Sequence, residues 1–202
     1  MKIAVLGASG RAGSRIVAEA LRRGHEVTGI ARDAGKLASA ERLTLRNGDA
    51  LSPGLAGLLR GHDVVVSSMR FASIPAAAVL GAVKEAGVKR LIVVGGAGSL
   101  EVAPGLQLID TPQFPDAYRP EASAGRDFLN ALRAETSLDW TFLSPSALFE
   151  PGERTGKFRL GGDQLLADAA GQSRISMDDY AIALVDEIEA PKHVRQRFTV
   201  GY

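Results

Sequence analysis

The sequence predicts an α/β protein built on a doubly wound parallel sheet, with a small C-terminal lobe. Three observations carry that reading. Short runs such as Ile3-Ala4-Val5-Leu6, Asp63-Val64-Val65-Val66-Ser67-Ser68 and Arg90-Leu91-Ile92-Val93-Val94 are nearly continuous in aliphatic and β-branched residues, as in strands buried on both faces. These runs alternate with helix-length segments across connections of only a few residues. The first run passes straight into Gly7-Ala8-Ser9-Gly10-Arg11-Ala12-Gly13 and then a helical segment, which gives strand, tight turn and helix in that order.

The chain has 202 residues, 46% hydrophobic and 23% charged, which suits one ordinary domain with a sizeable core. We read residues 1–202 as a single domain, its lobe drawn mainly from 101–122 and 146–178. A formal net charge of +1 gives no global basic field, so nucleic acid is not an expected partner. With no cysteine, disulfides, thiolate metal sites and cysteine nucleophiles are excluded, and a reducing compartment is compatible. The apolar run at Ile3 is too short for a signal segment or a membrane span, and glycine breaks it at once. The expectation is a cytoplasmic protein that acts on a small molecule, with no membrane partner and its oligomeric state left open.

The glycine turn comes first in order and in importance. In a dinucleotide-binding unit the first glycine permits the sharp turn, the second lets backbone approach a pyrophosphate, and the third lets helix and strand pack closely. The exposed amides and positive end of the helix attract the phosphates. The spacing here is G-x-x-G-x-x-G, a variant of the general fingerprint. We expect Gly7, Ser9, Gly10, Arg11, Ala12 and Gly13 to bind cofactor, with the helix running from Ser14 to Arg23 and stopping near Gly24.

His25 to Ala31 reads as the second strand, closing on Arg32-Asp33. A carboxylate near this position serves the ribose hydroxyls of NAD, and an arginine serves the 2′-phosphate of NADP. Arg32, Lys36 on the next turn and Arg11 from the glycine loop therefore favour NADP(H) over NAD(H). Leu43 to Leu51 gives a third strand and Pro53 to Leu59 a helix. Asp49 either accepts from the adenine amino group or caps its turn, and Ala50 lies beside it. The fourth strand ends at Ser67, Ser68 and Met69, where such sheets bind ligands. Ala76 to Ala86 is a helix stopped at Gly87, and the fifth strand ends at Gly95 and Gly96. Right-handed crossovers place all these strand ends along one crevice.

Between Glu101 and Ala122 the periodicity fails at four prolines, and a stretch this long is expected to be a binding loop or lid over the substrate. Phe114 and Tyr118 lie in it. Ser123 to Glu135 resumes helical spacing, and Asp139 to Pro145 is a sixth strand in which Trp140 is expected to anchor the core. Gly156 to Leu166 looks hairpin-like. Ser176 with Asp179 reads as a capping box before a helix from Tyr180 to Glu189, and Arg197 to Tyr202 is a final strand. None of His25, His62 and His193 is placed for catalysis, and no metal-ligand spacing is present.

The chain resembles the atypical short-chain dehydrogenase/reductase superfamily, in particular its small NmrA-like, NAD(P)H-binding branch, and is similar to the biliverdin/flavin reductase B type. The residues that carry the likeness are the glycine turn, Ala31-Arg32-Asp33, Gly48-Asp49-Ala50, Val94 to Leu100, Trp140 to Pro145 and Ile175 to Ala181. The resemblance implies a Rossmann-like sheet of about six or seven strands. It also implies reduction of a small organic acceptor such as a quinone, flavin or enone. Typical superfamily members pair a tyrosine with a lysine four residues on, so that the phenol can pass a proton. Here Tyr118 is followed at that distance by Ala122, and the serine after the fifth strand is replaced by Gly96-Ala97-Gly98, with Ser99 slightly later. Tyr118 and Ser99 are the catalytic candidates, and Phe114, Ser144 and Ser146 the substrate contacts. The alternatives are a non-catalytic NADP(H)-sensing regulator and, further off, a sugar-nucleotide epimerase, which normally needs the missing pair.

Overall fold

A computed structural model describes residues 1–202. Its centre is an eight-stranded sheet in the order β10-β12-β8-β5-β4-β1-β2-β3. The strands are β1 (Lys2–Leu6), β2 (Glu26–Ala31), β3 (Leu43–Asn47), β4 (Val64–Ser67), β5 (Arg90–Val94), β8 (Asp139–Pro145), β10 (Arg159–Gly161) and β12 (Gln196–Gly201). Seven are parallel, and β10 alone pairs antiparallel, on the β12 edge. The chain moves outward from β1 through β2 to β3 and then returns to β4, so the direction of winding reverses between β1 and β4. In such sheets ligands bind at this reversal, outside the carboxyl ends of the strands.

Two cores form because the central strands are apolar on both faces. On one face α1 (Arg11–Arg22) and α5 (Met177–Glu189) bury Ile16, Val17, Tyr180 and Leu184 against Ile3, Val5, Val64 and Val66. On the other, α2 (Leu55–Leu59), α3 (Ala76–Glu85) and α4 (Arg119–Arg133) bury Leu59, Val79, Val83 and Phe128 against Ala4, Leu6, Val65 and Val93. Trp140 is buried in this second layer, and its indole N–H donates to the Glu135 carbonyl at 3.2 Å.

The alternation of strands and helices matches the pattern read from sequence, with corrections at element ends. α1 begins at Arg11 rather than Ser14, so Arg11, Ala12 and Gly13 form its first turn. β3 ends at Asn47 rather than Leu51, because Gly48 and Asp49 turn the chain away from β2. The stretch from 101 to 122 is not irregular throughout. It holds a small antiparallel pair, β6 (Glu101–Ala103) with β7 (Leu106–Gln107), two 3-10 turns, and the start of α4, with Pro120 in that helix's first turn. Proline is tolerated there because the first amides of a helix have no partner to lose. The segment from 156 to 166 is no hairpin, since β10 pairs with the distant β12.

The C-terminal lobe is fastened by buried polar contacts. β9 (Leu148–Glu150) pairs in parallel with β11 (Arg174–Ser176). The carboxylate of Asp179, fully buried, accepts from Thr155 Oγ1 at 2.6 Å, Gly156 N at 2.8 Å and Tyr202 OH at 2.8 Å. Ser176 Oγ accepts from Asp179 N at 3.0 Å, so half of the capping box forms, and the Asp179 side chain serves the lobe instead. Arg154 forks onto Glu19 of α1 with two contacts of 2.9 Å, which holds the preceding extended segment against the main body.

Candidate cofactor and active site

The glycine turn sits at the carboxyl end of β1, beside the reversal point. Gly7 has φ +75°, and a Cβ on it would lie 2.4 Å from the Ser68 carbonyl oxygen. A Cβ on Gly13 would lie 2.2 Å from the Gly7 carbonyl oxygen, and one on Gly10 3.1 Å from the same atom. At Gly7 and Gly13 the turn thus folds back on itself and on the β4 loop at distances that no Cβ permits, and at Gly10 the fit is tight. Gly10 caps α1 with no side-chain bond, and the amides of Arg11, Ala12 and Gly13 find no acceptor in the protein. Unpaired amides at the positive end of a twelve-residue helix form an anion cradle. The residues present fit a dinucleotide pyrophosphate.

A cavity of about 200 Å³ opens from this cradle, and Gly7, Ser9, Gly10, Arg32, Ala50, Ser68 and Met69 of the expected set line it. Gly48, which the sequence marks only as part of a family-like motif, also lines it, as does Arg70, which carries no sequence signal. Arg11 and Arg32 have no carboxylate within 4 Å, and the ammonium of Lys36 meets only Asp33, at 3.7 Å. Asp49 accepts from Leu51 N at 2.9 Å, so its carboxylate closes its own turn. Ser67 is buried within β4, a residue short of the opening. Gly95 is required by packing: a Cβ there would lie 2.4 Å from the Phe142 ring and 2.7 Å from the Leu143 oxygen. Gly96 is open, with Phe71 at 4.0 Å.

The reaction end differs from expectation. Ser99, Ser144 and Ser146 are all buried, and none reaches the surface of the crevice. Ser99 and Ser144 turn their hydroxyls toward the buried guanidinium of Arg197, at 3.5 and 3.4 Å, and Arg197 pairs with Asp163. Ser146 donates to the Val200 carbonyl at 3.0 Å. Strand-end serines here tie β5 and β8 to β12, so the contacts expected of them are spent on the protein. Tyr180 is equally committed, since burial pushes its phenol well above the usual range and its hydroxyl donates to the Leu143 oxygen at 2.7 Å.

Tyr118 immediately precedes α4 and is 67% exposed. One turn into the helix, at Ala122, the chain meets the β5 loop so closely that a Cβ on Gly98 would lie 2.8 Å from the Ala122 Cβ. Gly125 continues the contact, with the Phe71 ring 3.0 Å from its Cβ position. Between them, Glu121 accepts from Phe71 N at 2.7 Å and Ala72 N at 3.0 Å, fixing the loop that carries Arg70. The stretch before α4 is held from the same helix: Arg119 donates to the Ile109 oxygen at 2.8 Å and sits 5.6 Å over the Phe114 ring, and Arg126 reaches Asp110 at 3.1 Å. Glu121 carried a sequence signal only as an acidic residue in a helical first turn. Its partners lie some fifty residues away.

A doubly wound sheet with a glycine turn and a free helix N-terminus at its reversal point defines a Rossmann-fold dinucleotide-binding protein. The chain belongs to the NAD(P)H-binding family, whose sequence profile matches residues 7–191. Among solved structures it is similar to a Burkholderia pseudomallei "putative exported protein" (48% identity, all of both chains, TM-score 0.91). It is also similar to a "putative epimerase" from Bacteroides thetaiotaomicron (42%, all of this chain and 96% of that one, TM-score 0.94). A third is a "putative NADH-flavin reductase" from Streptococcus pneumoniae (36%, all of this chain and 99% of that one, TM-score 0.87). No helix of the chain is long and apolar enough to cross a membrane.

Proposed function

We propose that the chain is an NADPH-dependent oxidoreductase that reduces a small organic acceptor of the quinone, flavin or enone type. The observation that carries this reading is the uncompensated Arg32, which lines the crevice at the end of β2, where a 2′-phosphate calls for a guanidinium fork. NADPH bound there supplies a hydride. The free amides of Arg11 to Gly13 hold its pyrophosphate, and Ser68 and Met69 border it on the β4 side. The exposed Tyr118 hydroxyl, one turn before the Gly98–Ala122 seam, is the group that can hand on a proton. No lysine stands four residues on to assist the phenol, which disfavours alcohol chemistry and favours conjugated acceptors, where water or a weak donor suffices.

The similarity to a protein described as an NADH-flavin reductase agrees with this reading, and the one described as an epimerase points elsewhere. Sugar-nucleotide epimerisation normally relies on the tyrosine and lysine pair, and Ala122 occupies the lysine position. A second reading, an NADP(H)-sensing regulator without turnover, is favoured by the burial of Ser99, which leaves Tyr118 without a companion hydroxyl. NADPH oxidation followed over a panel of quinones, flavins and enones decides between them. Turnover with one acceptor class is the expected result, and tight NADPH binding with no turnover on any would transfer the assignment to the regulator.

A further inference from the structure

A wide concavity of the molecule lies away from the crevice. It is a hollow of about 950 Å³ around the beginnings of β2 and β3. It exists because α2 has only five residues and stops at Leu59, so no helix covers Thr28 and its register partner Thr44. The turn after α2 forms one wall, where His62 Nε2 lies 2.7 Å from Thr28 Oγ1.

The lining is cationic. Lys2, Arg42, Arg46 and Arg60 face it, against the single carboxylate of Glu26. Lys2, Arg46 and Arg60 have no carboxylate within 4 Å of their charged nitrogens, and Arg42 meets only the exposed Glu41, at 3.8 Å. Elsewhere most arginines of this chain are paired. Arg42 itself has φ +62°, a conformation uncommon outside glycine, and its guanidinium is set at the rim by donation to the Gly24 oxygen at 3.1 Å. Gly57 is a second departure. It sits inside α2, where glycine is disfavoured, yet a Cβ there would meet nothing within 4 Å, so neither packing nor φ requires it. Its bare backbone lies on the wall of the hollow.

We propose that this hollow is a second ligand site, separate from the dinucleotide crevice, for a small polyanion bearing a run of phosphate groups. Its volume is that of a small-molecule site, and arginine forks match phosphate oxygens. Val27, Leu43 and Leu58 are its only apolar lining residues and no aromatic ring is among them, which disfavours an acyl chain or a planar apolar ligand.

The test titrates sodium tripolyphosphate by calorimetry at low salt into the full chain carrying Arg11→Ala, Arg32→Ala and Arg70→Ala, which removes the cations at and beside the dinucleotide crevice. One-to-one binding is expected, and adding Arg46→Ala with Arg60→Ala weakens it at least tenfold. Adding Lys89→Ala with Lys192→Ala instead, two equally unpaired cations outside the hollow, leaves it unchanged. All of these side chains are exposed or partly so, and a thermal melt verifies that each variant is folded. Absence of binding in the Arg11/Arg32/Arg70 background would overturn the proposal. Equal weakening by the two added pairs would also overturn it, because the attraction would then be that of diffuse charge.

Discussion

Gly98 and Ala122 meet so closely that a Cβ on the glycine would stand 2.8 Å from that of the alanine, and the backbone of the β5 loop therefore packs directly on α4. Ala122 stands four residues after Tyr118. Gly98→Ala is expected to destabilise the fold by about 1–3 kcal/mol through overpacking. Ala122→Gly in the same chain should recover most of the loss, less the roughly 1 kcal/mol that glycine costs inside a helix. Urea midpoints of the two single variants and the double variant read this coupling. A Gly98→Ala chain as stable as the parent would show that the seam is not close-packed.

Arg32 lines the crevice without a protein partner, so its charge is available to a ligand. A hydrogen bond to a charged group contributes about 1.5–3 kcal/mol, roughly ten- to a hundredfold in affinity. Arg32→Asp should weaken NADPH binding by that factor while leaving NADH equal or better, and rising salt should weaken NADPH binding more than NADH binding in the parent chain. Fluorescence titration with both cofactors reads the two preferences. Equal affinities in the parent chain would defeat the 2′-phosphate argument.

What the sequence disclosed follows from the range of the interactions involved. The strands were legible because Val64-Val65-Val66 and Leu91-Ile92-Val93-Val94 are apolar on both faces, a local property. The phosphate cradle was legible because three glycines at fixed spacing encode a backbone shape. The serines misled for the opposite reason. Ser99, Ser144 and Ser146 look alike in sequence, but their roles are set by Arg197 and Val200, some fifty to a hundred residues distant. The long prolines-and-acids stretch after Glu101 hid a hairpin and the start of α4, because its order comes from Arg119 and Arg126 reaching back to carbonyl and carboxylate oxygens.

Glu121 joins α4 to the β4 loop through two backbone amides, Phe71 N and Ala72 N. Removing the acceptor leaves those amides to water, at a cost of about 1–3 kcal/mol for a buried group and less here, where the loop is partly exposed. Glu121→Ala should therefore loosen residues 70–73 more than Glu121→Gln, which keeps one good acceptor. Amide hydrogen exchange at Phe71 and Ala72 measures the order, with the parent slowest, glutamine intermediate and alanine fastest. Identical protection in all three chains would show that the clasp does not hold the loop.

Glu135 links the end of α4 to α3. The Lys84 ammonium, 2.8 Å from its carboxylate, and then the Ser137 hydroxyl and amide hold its pKa down to about 2 from an ordinary 4.5. A carboxyl whose folded pKa is depressed binds fewer protons in the native state than in the unfolded one. Its stabilisation is therefore full above about pH 4.5 and is lost as pH falls toward 2. Glu135→Gln should be less stable than the parent at pH 7, and the two should converge as pH approaches 2, in urea midpoints taken at fixed salt. Lys84→Met should raise the Glu135 pKa, followed by its side-chain carboxyl resonance, since it removes the largest of the three contributions. A gap between parent and Glu135→Gln that persists unchanged from pH 7 to 2 would show that the carboxylate acts through packing and not through its charge.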